Sequence, residues 1–136
     1  MEIAEALDFI RENHRAVLAT RRADGRPQMS PVMAGVDEEG FVEISSRETA
    51  MKVLNARRDP AVSLCVFPDG FFGSWVQVDG VASVVSLPEA MDRLVALYRR
   101  MAGEHPDWDE YRTAMGREKR VVLRIAVDSA GPTRAG

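Results

Sequence analysis

The chain has 136 residues, of which 46% are hydrophobic and 29% charged, and a chain of this size forms one globular domain that buries roughly two thirds of its unfolded surface. Its formal net charge is -3 with both signs interspersed, so it lacks the basic face typical of nucleic-acid-binding proteins. The single cysteine, Cys65, lies in an apolar run and indicates a reduced, buried thiol. No stretch reaches the roughly 20 apolar residues of a membrane span, and the acidic, amphipathic start is unlike a signal peptide. We therefore expect a cytoplasmic protein that binds neither membranes nor nucleic acid.

The first half of the chain alternates short strand patterns with turns. Ile3, Ala6, Leu7 and Ile10 have the spacing of one helical face and predict a first helix. This helix is followed by a strand over "RAVLATRR", an Asp-Gly turn and a second strand over "PQMSPVMAGV" with Pro31 at an edge or bulge. A turn over "DEEG" and a third strand over "FVEIS" come next.

The segment "SSRETAMKVLNARRDP" predicts a short second helix. We expect Thr49 to cap it, Lys52 to lie in or next to its first turn, and Asp59-Pro60 to end it. Two more strands follow, over "AVSLCVF" and "FGSWVQVDGVASVVS", the second bent at Gly80.

Two helices and a final strand are predicted in the last third. Ser86 and Glu89 form a capping-box pattern, Gly103 suits a left-handed helix end, and Asp107 starts a shorter helix. "RVVLRIAV" is a sixth strand, and residues 129–136 are small and polar enough to form a loose tail. The pattern predicts a mainly β fold of the α+β type, a small six-stranded antiparallel barrel with appended helices over residues 1–128.

Hydrolytic and metal chemistry find little support in the residue pattern. His14 and His105 are the only histidines, neither belongs to a ligand-spaced motif, and no Gly-x-Ser-x-Gly or HExxH pattern occurs. We expect no metal site.

Lys52 is one of two lysines beside sixteen arginines, at a helix start where the helix dipole disfavours a cation by about 0.3 to 1 kcal/mol. Two interpretations stay open. Lys52 is either a solvated surface residue, or it binds a phosphate together with the Thr49 hydroxyl and the free backbone N–H groups. Arg47 could approach the same anion, whereas Arg57 and Arg58 suit the negative end of the helix.

The aromatic residues allow two interpretations as well. Trp75 and Tyr98 are by default packing residues of the core or of an interface. "GEHPDWDEYR" is denser in aromatic and charged residues than a connection needs, so a lid or a dimer contact competes with simple packing.

Five segments in this order resemble the pyridoxamine-phosphate-oxidase-like split-barrel flavoproteins: "AVLATRRADGRPQMSPV", "VEISSRETAMKVLNARRDPAVSL", "WVQVDGVASVV", "ALYRRMAGEHPDWDEYRTAM" and "RVVLRIAV". The resemblance runs from about Ala16 to Val127. Within that group the chain is most similar to actinobacterial proteins that use the deazaflavin coenzyme F420, a likeness that rests on "HPDWDEYR" in particular.

The resemblance implies a homodimer of six-stranded split barrels with two cofactor sites at the interface. Asn55 would brace the second helix, and Trp75 with the segment from Trp108 to Arg112 would come from the partner subunit. Some relatives carry a further basic residue near Ala50, where Arg47 would compensate in this chain. The cofactor-binding residues it implies are Gln28, Ser30, Pro31, Val32, Ser45, Ser46, Arg47, Thr49, Lys52, Asn55 and Trp75.

The implied activity is that of an F420-dependent oxidoreductase that transfers a hydride to an activated C=C bond of a small molecule such as an enone or lactone. The catalytic residues stay unassigned, and Tyr98, Tyr111 or water are candidate proton donors. An FMN-binding oxidoreductase of the same fold and a non-catalytic protein that stores or delivers the cofactor are the alternatives. A barrel that binds single-stranded nucleic acid is the least favoured alternative, because it would need a basic, aromatic face.

Overall fold

A computed structural model describes residues 1–132 and contains, over this range, four helices and seven strands. In chain order these are α1 (Ile3–Glu12), β1 (Arg15–Arg21), β2 (Pro27–Met33), β3 (Gly35–Val36), β4 (Val42–Arg47), α2 (Met51–Arg58), β5 (Ala61–Phe67), β6 (Val76–Val85), α3 (Ala90–Ala102), α4 (Trp108–Arg117) and β7 (Arg120–Gly131). Because β7 runs to Gly131, residues 129–131 belong to the sheet rather than to the predicted tail. Pro132 follows the strand, and residues 133–136 of that predicted tail lie outside the described residues.

The strands form one antiparallel sheet in the order β2-β1-β5-β6-β7-β4-β3. The sheet curls, because Cα atoms of β2 and β4 come within 8 Å of each other although these strands are not neighbours in it. The pairing of β6 with β7 is irregular between Asp79 and Gly80, which confirms the predicted bend. A Cβ atom on Gly80 would lie 2.3 Å from the carbonyl oxygen of Ala126, so this approach of the two strands requires glycine. The mainly β fold is confirmed as a curled half-barrel.

The predicted number of six strands is wrong for the described residues, which contain seven. The segment expected to be one strand breaks at Ala34, whose N–H donates to the carbonyl of His14, and the chain then pairs with β4 instead of β1. Gly35 lies directly beneath α3, where a Cβ atom would be 2.8 Å from Cδ1 of Leu97. The break thus coincides with a close approach to a helix that lies far along the chain, a contact that no local pattern reports.

Two apolar clusters hold the layers together. The larger fills the concave side of the sheet and includes Ile10 of α1, Val53 of α2 and Leu123 of β7. The smaller packs α3 and α4 against the opposite side of β7 through Leu94, Tyr111 and Val122. Alternation along β7 therefore serves both clusters at once. None of the helices within residues 1–132 is both long and apolar enough to cross a bilayer.

The helix ends divide into confirmed and wrong predictions. Asp107 caps α4, its carboxylate accepting the N–H of Glu110 at 3.1 Å, and Gly103 follows α3 with a φ of 80°. Thr49 does not cap α2, since Ala50 occupies that position without any side-chain bond. The capping box at Ser86 and Glu89 is also wrong, because the helix starts only at Ala90. The Ser86 hydroxyl instead accepts a hydrogen bond from Arg57 of α2, a partner distant in sequence.

Candidate functional site

A cavity of about 800 Å³ lies between the β1–β2 side of the sheet and the helices α3 and α4. Its cationic end holds Lys52 and Arg120, and Arg15, which forms an ion pair with Asp69, lines it beside Met33 and Phe67. The strands contribute Ala16, Pro31, Val32, Met33, Ser45 and Phe67, and the helices contribute Leu94, Leu97, Tyr98, Met101, Tyr111 and Met115. A cavity of this size with a charged end and an apolar wall is typical of sites for cofactors or small molecules.

Strand alternation decides which serine of β4 reaches the cavity. Ser45 lies opposite Val122 of β7 and faces the side covered by α3, so it lines the cavity. Ser46 faces the other side, is 2% exposed, and donates its hydroxyl to the carbonyl of Arg47 at 3.3 Å. Of the two neighbouring serines, only Ser45 can contact a ligand there.

Lys52 lies in the first turn of α2, as predicted, and its side chain is half-buried at the cavity. Burial lowers the pKa of Lys52, and the positive charge of Arg120 lowers it further. No carboxylate within residues 1–132 forms an ion pair with Lys52, and over the same range the backbone N–H groups of Met51 and Lys52 have no acceptor. Two cations and two N–H donors thus converge at a helix start, an arrangement that suits an anion.

Arg120 is, with Arg15, one of two cavity cations that sequence reasoning missed. It lies opposite Arg47 at the start of β7 and donates to Oε1 of Glu118 at 2.8 Å. The hydrogen bond from Arg120 holds the pKa of the Glu118 carboxyl below its ordinary value. The strand itself was predicted, but its pairing with β4, which brings Arg120 to Lys52, depends on long-range contacts that leave no local signal.

Four of the predicted site residues line the cavity: Pro31, Val32, Ser45 and Lys52. Gln28 and Ser30 share the inward side of β2 with Val32 but do not line it. Gln28 accepts the Thr20 hydroxyl at 3.3 Å. The Ser30 hydroxyl is buried and has no hydrogen-bond partner within the described part of the chain. Such an unmatched hydroxyl costs free energy unless a water or ligand meets it.

The other predicted residues lie away from the cavity. Asn55 is 1% exposed and donates to the Thr20 hydroxyl at 3.1 Å, which fastens α2 to β1. Arg47 and Thr49 are exposed outside it. Trp75 lines a different cavity, next to Glu5 and Phe9 of α1. In a single chain, therefore, Trp75 does not meet Lys52.

Four rings pack together at the apolar wall, two of them lining the cavity and two behind it. The centroids of Tyr98, His105, Trp108 and Tyr111 lie 5.2 to 5.7 Å apart. Tyr111 is buried and donates its hydroxyl to the carbonyl of Leu94 at 3.0 Å, and burial raises the pKa of Tyr111. The start of the segment from Trp108 to Arg112 thus packs against α3 of its own chain.

A buried ion network beside the cavity also escaped prediction. Asp37 is 4% and Glu43 1% exposed, and three arginines surround them, Arg93, Arg100 and Arg124. Burial raises the pKa of Asp37, but N–H donors from Phe41 and Glu39 and the bond from Arg124 outweigh it and leave that pKa lowered. Burial and the nearby Asp37 raise the pKa of Glu43 more than the arginines lower it. The network joins β4, β7 and α3 and thereby ties to the sheet the helix whose other face lines the cavity.

The sequence profile of the pyridoxamine 5'-phosphate oxidase family matches residues 3–133, so the chain belongs to this family. Among solved structures, the protein Rv2991 from Mycobacterium tuberculosis is 29% identical over 96% of this chain and 82% of that one, with a TM-score of 0.77. A structure described as an F420 reductase is 21% identical, covers 91% of this chain and 94% of that one, and has a TM-score of 0.69. General Stress Protein 26 from Bacillus anthracis is 15% identical, with 94% and 90% coverage and a TM-score of 0.66. The family and the split-barrel likeness expected from the sequence are confirmed.

Proposed function

We propose that the cavity binds the phosphate-bearing deazaflavin coenzyme F420 and that the protein is a reductase of small molecules with an activated C=C bond. The observation that carries the proposal is the pair of cations Lys52 and Arg120 at the start of α2, with no carboxylate paired to Lys52 within residues 1–132. Two likenesses support the choice of cofactor. The sequence resembles the F420-using branch, and the fold is similar to that of a structure described as an F420 reductase.

The residues present fit a phosphate group. Lys52, Arg120 and the N–H groups of Met51 and Lys52 supply positive charge and donors, and Ser45 adds a hydroxyl. Pro31 and Val32 would lie along the ring system. When bound, such a coenzyme supplies the hydride. The protein's part is to hold the phosphate, orient the ring and exclude water with the apolar wall.

FMN in the same cavity is the second candidate for the cofactor, since its phosphate needs the same donors and the chain belongs to a family named for a flavin oxidase. A carrier that binds the coenzyme without turnover is the third possibility. Equilibrium titration with each cofactor separates the first two, and hydride turnover against a panel of enones and lactones separates a reductase from a carrier. Micromolar affinity for FMN with no binding of the deazaflavin would refute our choice.

The decisive variant is Lys52→Ala, with Lys119→Ala as its control. Lys119 is the only other lysine, lies one residue from Arg120 and is exposed outside the cavity. We expect Lys52→Ala to weaken cofactor binding by about 1 to 3 kcal/mol, the loss of one charge-assisted hydrogen bond, and Lys119→Ala to have little effect. Both are measured by quenching of tryptophan fluorescence, for which Trp108 lies behind the cavity wall.

Equal affinities of the two variants and the unchanged protein would place the phosphate elsewhere. Equal weakening in both variants would show a general effect of net charge rather than a site at Lys52.

A further inference from the structure

The apolar wall of the cavity contains one hydroxyl that the fold leaves uncommitted. Leu94, Leu97, Tyr98 and Met101 fall at the spacing of one helical face of α3, and Tyr111 and Met115 do the same on α4. Of these six side chains only the two tyrosines carry a strong hydrogen-bond donor. The chemistry of this wall therefore depends on what the two tyrosine hydroxyls are bonded to.

The two tyrosines differ in that respect. The hydroxyl of Tyr111 is buried and donates to the carbonyl oxygen of Leu94 at 3.0 Å, so its proton is committed to the backbone of α3. The hydroxyl of Tyr98 forms no hydrogen bond with any of the described residues, and its half-buried side chain lines the cavity. The wall thus offers a ligand a single tyrosine donor.

The ring of Tyr98 is held in place from behind. Its centroid lies 5.2 Å from those of His105 and Tyr111 and 5.7 Å from that of Trp108, with edge-to-face geometry toward the last two. A phenol fixed in this way loses little conformational entropy when its hydroxyl meets an acceptor. The other lining side chains of α3, Leu94, Leu97 and Met101, are apolar, and an apolar surrounding strengthens a hydrogen bond and makes an unmatched one costly.

We propose that Tyr98 is a specificity-determining residue, which donates its hydroxyl to a carbonyl oxygen of the substrate, and that the substrate is an apolar ring compound carrying that carbonyl. The proposal rests on the proposed function, since it assigns the cationic end to the cofactor and the wall of α3 and α4 to the substrate. A ligand with an oxygen acceptor toward Tyr98 and hydrocarbon toward Leu97 and Met101 matches the chemistry of this wall. A highly polar ligand would instead bury polar groups against Leu97 and Met101 without hydrogen-bond partners. A donor to the carbonyl would also withdraw electrons from a conjugated C=C bond.

The test uses two probes of similar shape, coumarin, which has the lactone carbonyl, and 1,2-dihydronaphthalene, which has none. We expect Tyr98→Phe to raise the dissociation constant of coumarin about five- to tenfold, the loss of one hydrogen bond, and to leave that of 1,2-dihydronaphthalene within about twofold. Tyr111→Phe is the matched control, since it removes a hydroxyl committed to Leu94 and should leave the ratio between the two probes unchanged. Calorimetric titration supplies the constants.

A spectroscopic readout follows from the composition. The chain has two tyrosines, so protein labelled with 13C at the tyrosine ζ carbon gives two resonances from the full chain, assigned by the two phenylalanine variants. Coumarin should shift the Tyr98 resonance and 1,2-dihydronaphthalene should not. Equal weakening of both probes by Tyr98→Phe, or a coumarin shift confined to Tyr111, would overturn the proposal, and so would a failure of both probes to bind.

Failure here is distinguishable from failure of the proposed function. Titration with inorganic phosphate reports on the cationic end alone, and the Tyr98→Phe protein should bind phosphate as the unchanged protein does. If Lys52→Ala loses phosphate binding but Tyr98→Phe weakens both probes equally, the cofactor site is retained and the role of Tyr98 is rejected.

Discussion

At the scale of single residues, Lys52 makes anion binding depend on pH. Its pKa is lowered from the ordinary 10.5, first by burial and then by Arg120, so the ammonium loses its proton at a lower pH than an exposed lysine does. We expect affinity for a phosphate-ended ligand to fall as pH rises toward 10.5, with the decline beginning below the range of a free lysine. Titrations between about pH 7 and 10 would measure it.

The control for that pH dependence is Lys52→Arg. Arginine keeps its charge over this whole range, so the variant should bind with an affinity independent of pH, even if its planar group fits less well. A decline of the same size in Lys52→Arg would assign the titration to another group. Without ligand the sign for stability is reversed, because a lowered lysine pKa penalises the charged folded state at neutral pH and the penalty fades as pH rises through that pKa.

Between neighbouring elements, the buried network of Asp37 and Glu43 yields a ranking of two conservative variants. The pKa of Asp37 is lowered by its N–H donors and Arg124 despite burial, so its charge stabilises the fold, whereas burial and Asp37 raise the pKa of Glu43 and its charge is penalised. We expect Asp37→Asn to lower the free energy of unfolding at pH 7 by about 1 to 3 kcal/mol and Glu43→Gln by less. Urea denaturation of both variants decides, and the reverse order would contradict the assignment.

Acid should act on the same network with a defined sign. The stability that Asp37 contributes is present above its unfolded pKa of 3.8 and is lost as pH falls through its lowered folded value. Glu43 has the opposite effect. Its pKa is raised above 4.5, so a fall of pH through that raised value protonates the carboxylate and removes the free-energy penalty of its buried charge.

Elements defined by local chemistry were predictable, and those defined by distant partners were not. The periodicity of α1, the Asp-Gly turn, the stop at Asp59-Pro60 and the Asp107 cap depend on neighbours within a few residues, and all were predicted. The break at Ala34, the delayed start of α3 and the meeting of Arg120 with Lys52 depend on pairing and packing between distant segments. The buried Glu43 also gave no signal, because an acidic residue in a short alternating strand predicts an exposed side chain.

On the scale of the whole molecule, an apolar face remains uncovered beside the cavity. On the edge strand β2, Met29 is 65% exposed and Met33, which also lines the cavity, is 49% exposed, and Phe72 is 85% exposed in the β5–β6 connection. Edge strands and exposed apolar side chains are features of association surfaces. We propose that a second copy of the chain covers this face and the mouth of the cavity, as the family resemblance implies.

Charge placed on that face should separate the copies. We expect sedimentation to give twice the chain mass of 15.1 kDa for the unchanged protein and the single-chain mass for the double variant Met29→Glu with Met33→Glu. A buried carboxylate in an apolar interface carries a desolvation penalty of several kcal/mol. Val81→Glu is the control, since Val81 is 51% exposed on β6, away from β2, and should leave the mass unchanged. Dissociation by the control, or none by the double variant, would place the interface elsewhere.

The scarcity of lysine gives the protein an unusual property for covalent labelling. Apart from the chain's amino terminus, an amine-reactive reagent meets two side chains, the exposed Lys119 and the cavity residue Lys52. Because the pKa of Lys52 is lowered, a larger fraction of its amine is neutral and nucleophilic at a given pH than in an ordinary lysine. A bound anion would both shield that amine and restore its proton. Labelling of Lys52 therefore reports whether the site is occupied. Mass spectrometry would detect one modified lysine in the anion-bound protein and two in the free protein.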